Sequence, residues 1–135
     1  MSSIIATISQ IQKCDSLHLV HFVCEAQHLS MMSLDLDKKI QIGTKVALAI
    51  KPTHISIAKN FVGKLSDSNQ FKTKISAIEK GKLLTKVILS AEKTHLEAII
   101  TLEACESMNL QMEDEVFAIM NASELSISQI LENEN

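Results

Sequence analysis

The chain carries one pattern twice, and that doubling limits what it can fold into. Ile8-Ser9-Gln10-Ile11-Gln12-Lys13 returns as Ile75-Ser76-Ala77-Ile78-Glu79-Lys80. Glu25, His28 and Leu29 return as Glu92, His95 and Leu96. Met31-Met32-Ser33-Leu34-Asp35 aligns with Ile99-Ile100-Thr101-Leu102-Glu103, and residues 46–57 align with 116–127. The offset grows from 67 (Ile8 to Ile75) through 68 (Met31 to Ile99) to 70 (Val46 to Val116), so small insertions fall between elements. A copy of roughly 60 residues buries too little surface to be comfortable alone. The copies are therefore expected to pack on each other, on another chain, or both.

The hydrophobic pattern has period two. Phe71, Thr73 and Ile75 alternate with Lys72, Lys74 and Ser76, and Thr85, Val87 and Leu89 alternate with Lys86, Ile88 and Ser90. These are strand signatures. The apolar run Val116-Phe117-Ala118-Ile119-Met120 reads as a strand buried on both faces. Polar turns follow the first strand of each copy at Lys13-Cys14-Asp15-Ser16 and Lys80-Gly81-Lys82. One segment per copy reads as helical: residues 34–39 and 101–108, with Ser33 and Thr101 as N-caps and acidic residues in the first turn.

Each copy thus reads as about five short strands with one helical turn before the fourth. Five antiparallel strands closing on themselves make an OB-type barrel, and closure removes exposed strand edges. The expected class is all-β: two tandem OB-fold-like five-stranded small barrels, each with one short helical turn. The expected organisation is a first barrel over 1–60, a linker over 61–69 carrying Ser66-Asp67-Ser68-Asn69, a second barrel over 70–129, and a frayed tail over 130–135.

Composition excludes several functions. All thirteen basic residues are lysine, and the net charge is −3, which argues against non-specific nucleic-acid binding. Only four Phe and no Trp or Tyr are present, so base-stacking platforms have little material. No apolar run is long enough to span a bilayer, and no signal pattern opens the chain. Cys14, Cys24 and Cys105 are odd in number and widely spaced, as free thiols in a reducing cytoplasm would be. No Ser/His/Asp arrangement, Gly-rich phosphate loop or H-E-x-x-H string points to catalysis. Cys14, His18 and His21 would scatter over both faces of a strand, which argues against a metal site. His28 and His95 read as exposed turn residues, and Met31 and Met32 as core filler.

Three strings, repeated in order along nearly the whole chain, resemble the molybdate-binding Mop/TOBE family, which includes molbindins and the C-terminal sensor half of ModE-type regulators. Ser66-Asp67-Ser68-Asn69-Gln70-Phe71 resembles the family's Ser-Ala-Arg-Asn-Gln opening. Ile99-Ile100-Thr101-Leu102, with Met32-Ser33-Leu34, resembles its hydroxyl-bearing segment. Lys51-Pro52-Thr53, with Asn121-Ala122-Ser123, resembles the segments that close each family unit.

The resemblance implies a non-enzymatic cytoplasmic protein that binds molybdate or tungstate, for storage, homeostasis or sensing. Its sites would lie at unit–unit interfaces of a homo-oligomer, with the oxyanion as ligand and no organic cofactor. A tetrahedral dianion offers only acceptors, so it needs N–H groups, hydroxyls and a cation. Ser66, Ser68, Asn69, Lys51, Thr53, Thr101, Ser33 and Ser123 are the residues of that type in matching positions. One departure stands out. Ser68 occupies the position of the family's Arg, and the chain has no arginine at all, so the planar two-donor fork is lost. In the first copy Met1 and Ser2 fall where that Arg and Asn would be. The other reading keeps the same fold: a TOBE-like accessory module that has lost oxyanion binding and docks a transporter ATPase or a regulator. The same strings also read as ordinary polar turns, with Pro52 fixing one and Ser66–Asn69 capping a strand.

Overall fold

A computed structural model describes residues 3–132. Met1, Ser2 and the end of the expected tail lie outside the described residues. The order of elements is β1 (Ile4–Cys14), β2 (Leu17–Cys24), β3 (Gln27–Ser33), β4 (Lys45–Ala49), a 3₁₀ turn at Pro52–His54, β5 (Ile55–Lys59), β6 (Asn69–Lys80), β7 (Leu84–Ser90), β8 (His95–Thr101), helix α1 (Leu102–Ser107), β9 (Glu115–Met120) and β10 (Ser126–Glu132).

Two curled five-stranded antiparallel sheets form, in the orders β10-β4-β1-β2-β3 and β5-β9-β6-β7-β8. The period-two residues point as expected. Ile4, Ala6 and Ile8 of β1 are buried, as are Phe71, Thr73 and Ile75 of β6. The long first strand of each repeat is bulged at one equivalent place, between Ile8 and Gln10 and between Ile75 and Ala77. The bulge lets one strand pair β4 or β9 with its first half and β2 or β7 with its second. Each barrel also holds one fully buried Phe, in different places. Phe22 lies in the first where Leu89 lies in the second, and Phe71 in the second where Ile4 lies in the first. Total core volume is thereby conserved between copies, the kind of exchange cores tolerate best.

The pairing cuts across the repeat boundaries. β5 comes from the first repeat but pairs with β9 of the second, Ile57 opposite Ala118. β10 comes from the second repeat but pairs with β4 of the first, Ile127 opposite Leu48. The repeats trade their last strands, so neither 1–60 nor 70–129 contains a whole sheet. Residues 130–132, expected to fray, belong to β10 and are held by β4. Among the described residues each sheet curls without a closing ladder, with β3 and β10 as the edges of one sheet and β5 and β8 of the other. The β3 edge is used elsewhere, as the site below shows.

The helical turns are unequal. In the second repeat α1 forms where expected, with the Thr101 hydroxyl accepting from Ala104 N–H at 3.0 Å. Residues 34–39 form no helix, and the first repeat has only the 3₁₀ turn at Pro52–His54. Strand register supplies the reason. Met31 faces Val20 and Ala98 faces Val87, so β3 and β8 correspond at an offset of 67, not 68. The whole growth to 70 therefore falls between β3 and β4. The second repeat has three more residues there, close to one helical turn. Ser33 thus corresponds to Ile100 rather than Thr101; a one-residue slip reverses the face of a strand.

Candidate functional site

The strand exchange requires the chain to cross between sheets twice, at residues 50–54 and 120–124. Ile50 and Ile55 anchor the first crossover, Met120 and Leu125 the second, and all four are buried. The crossovers meet. His54 Nδ1 lies 2.9 Å from Glu124 Oε2, and these two residues occupy equivalent repeat positions, so the pair straddles the pseudo-two-fold relation between copies. Ser66-Asp67-Ser68 and the start of β6 run alongside the second crossover, as does the end of β3.

Around the second crossover most donors are already engaged. Asn121 Nδ2 donates to Asp67 Oδ1 at 2.9 Å. The Ser123 N–H and hydroxyl both donate to Asn121 Oδ1, at 2.9 and 2.6 Å. Met32 N–H donates to Ala122 O at 3.0 Å and ties β3 to the crossover. The Ser33 hydroxyl donates to Asp35 O. Ser33 and Ser123 line one groove of about 750 Å³ together with Asp35 and Asp37.

Asn69 is buried to 1% exposure, and its amide is spent. Its Oδ1 accepts from Ser30 N–H at 2.7 Å, and its Nδ2 donates to Ser30 O at 2.8 Å. One side chain thus does for the β3 edge what a neighbouring strand would do. Gln27 of β3 does the reverse: Lys72 N–H donates to Gln27 Oε1 at 2.7 Å, and Gln27 Nε2 donates to Lys72 O at 3.3 Å. The two amides stitch β3 of one sheet to β6 of the other. Beside the stitch, the Ser68 and Ser30 hydroxyls lie 3.1 Å apart. Sequence reasoning missed Ser30 and Gln27, because nothing local to β3 marks its edge as covered by residues about forty positions away.

Around the first crossover the donors are freer. Lys51 and Thr53 have no polar side-chain partner among the described residues. Lys51 lines a cleft of about 300 Å³ with Pro52, His54, Glu124 and Ser126. The 3₁₀ turn packs on β8, the strand that ends at Thr101. The Thr101 hydroxyl accepts the helix-capping bond and keeps its own proton to donate. The eight expected residues are thus divided. Lys51 and Thr53 lie on the first crossover, with Thr101 at the end of the strand that packs on it. Ser123 lies on the second, with Ser33 in the groove beside it and Ser66, Ser68 and Asn69 in and after the linker that meets it through Asp67.

Among the described residues the remaining reactive groups form no catalytic constellation. Burial pushes the Cys24 thiol up from its ordinary value, with the Thr94 hydrogen bond opposing and Glu25 adding to the rise. All three cysteines are free. No group of His, Cys, Asp and Glu suited to a metal ion occurs among the described residues. None of the described helices is long and apolar enough to cross a membrane.

Comparison with known proteins agrees with this architecture. The family model of the TOBE domain matches residues 65–127. The fold is similar to the crystal structure of ModG, a cytoplasmic molybdate-binding protein, in a form with molybdate bound. The TM-score is 0.85 at 18% identity, with 93% of each chain covered. No curated protein matches the chain by sequence.

Proposed function

Because residues 65–127 are a TOBE domain and the whole chain takes a tandem Mop-type fold, we propose that it binds molybdate or tungstate, in the cytoplasm, without altering it chemically. The observation that carries this reading is the pair of crossovers meeting between the repeats, where Lys51 and the Thr53 hydroxyl have no side-chain partner among the described residues. Lys51 supplies the positive charge a dianion needs, and the Thr53 and Thr101 hydroxyls supply directional donors. Ser66, Ser68 and the neighbouring Ser30 lie at the far side of the junction, where the Ser68 and Ser30 hydroxyls engage each other. Asn69 contributes by holding that side in place.

Exposed apolar side chains favour assembly. Val62 is 90%, Leu83 81% and Leu34 66% exposed, and burying them between copies of the chain suits a homo-oligomer. Titration calorimetry with molybdate, tungstate and sulfate tests the binding, and sedimentation tests the assembly. Absence of heat with all three at micromolar protein sinks the ligand reading. The missing arginine and the engaged donors at the second crossover favour the second reading, a docking module for a transporter ATPase or a regulator. A thermal-shift screen separates the two, since a ligand bound only by the folded state must raise its stability.

A further inference from the structure

The two crossovers occupy equivalent places in the repeat, yet their chemistry has moved apart. Lys51 in the first stands where Asn121 stands in the second, and His54 stands where Glu124 stands. Thr53 corresponds to Ser123. The Thr53 hydroxyl has no side-chain partner among the described residues. Both donors of Ser123 are turned inward onto Asn121.

The grooves beside the two crossovers, which are not repeat equivalents, also differ in charge. The groove beside Ser123 is lined by two carboxylates, Asp35 and Asp37, and by no lysine. A third carboxylate, Asp67, holds the Asn121 amide from the linker side. The cleft beside Lys51 has one carboxylate in its lining, Glu124, and His54 holds it.

Resting on the oxyanion reading above, we infer that only the crossover built on Lys51 and Thr53 takes a dianionic oxyanion. Asp35, Asp37 and Asp67 exclude it from the other. The physical basis is simple repulsion. In a water-filled groove each nearby carboxylate weakens the binding of a doubly charged anion roughly five-fold, and three compound to about a hundred-fold. Against that, the second crossover offers no fixed cation and no free Ser123 donor. The doubled fold therefore carries a single working site per repeat pair, and the acidic residues are its specificity determinants.

Titration calorimetry on the full chain with sodium molybdate tests this, with near-ultraviolet or amide spectra confirming the fold of each variant. K51Q and T53A should each weaken binding at least ten-fold, while S123A should stay within two-fold of the parent. The quadruple variant D35N/D37N/D67N/N121K, which also supplies the missing cation and removes the acceptor that holds Ser123, should bind one additional molybdate per chain. The inference is overturned if S123A costs as much as T53A, or if the quadruple variant keeps the parent stoichiometry. If the parent protein binds no molybdate at all, the oxyanion reading itself fails, and this inference with it.

Discussion

Replacing Asn69 by alanine removes two hydrogen bonds that no other group is placed to make. The amide meets the Ser30 N–H at 2.7 Å and the Ser30 carbonyl at 2.8 Å. Each such bond contributes about 1 kcal/mol net, and leaving its buried partner unpaired adds about 1–3 kcal/mol. Ser30 is only half-buried, so water reaches part of what the amide leaves, and the lower end applies. The expected loss is about 2–3 kcal/mol, or roughly 6–12 °C in melting temperature for a chain of this size. Urea unfolding at neutral pH measures it. A loss below about 0.5 kcal/mol would refute the claim that this amide seals the β3 edge.

Asn69→Asp probes the same bonds with a proton. A carboxylate still accepts from the Ser30 N–H but faces the Ser30 carbonyl without a donor; the neutral acid can donate. The folded-state pKa is therefore raised. The variant's stabilisation is complete below the unfolded carboxyl value of about 3.9 and is lost as pH rises through the higher folded value. A stability deficit that does not shrink on acidification counts against this geometry.

Three further outcomes are expected. The Lys59 ammonium hydrogen-bonded to Asp114 at 2.9 Å, with the Gln111 N–H, holds the Asp114 carboxyl below its ordinary value. Its contribution is present above the unfolded carboxyl pKa and lost as pH falls through the folded one; an acid-unfolding curve unchanged in D114N removes that assignment. T101A, which deletes the α1 cap, should cost about 1 kcal/mol in urea unfolding, whereas S33A should cost less, since Ser33 caps no helix. Truncation before Ser126 should open the first sheet and spare the second, so amide exchange should accelerate at Val46 and Leu48 before Val116 and Ala118.

The strands and the doubling were legible because period-two burial is local. Ile4, Ala6 and Ile8 announce their face without reference to anything distant. The strand exchange was not legible. β5 and β10 carry the same alternation whichever sheet receives them, and Ile57 against Ala118 reads no differently from Ile57 against Leu48. The helix in the first repeat was overread because Asp35 and Asp37 suit a first turn, while only strand register places all three extra residues of the second repeat between its third and fourth strands. The role of Asn69 lay beyond sequence reasoning for a related reason. Its type marks it as a donor, but only the approach of β3 shows that the donor is taken.

The traded last strands have a consequence for how the protein is made. Residues 4–49 leave the ribosome with β1 to β4, but the strand that completes their sheet is β10, the last of the described strands to emerge. The first half must wait, its β4 edge open, for the whole of the second half to be synthesised. Folding is thus dominated by pairings far apart along the chain, such as Leu48 with Ile127, which slows the search and prolongs exposure of an unpaired edge. The same wiring binds the copies in evolution. Neither half contains a finished sheet, so losing one repeat would force the survivor to fold its own last strand back onto its fourth.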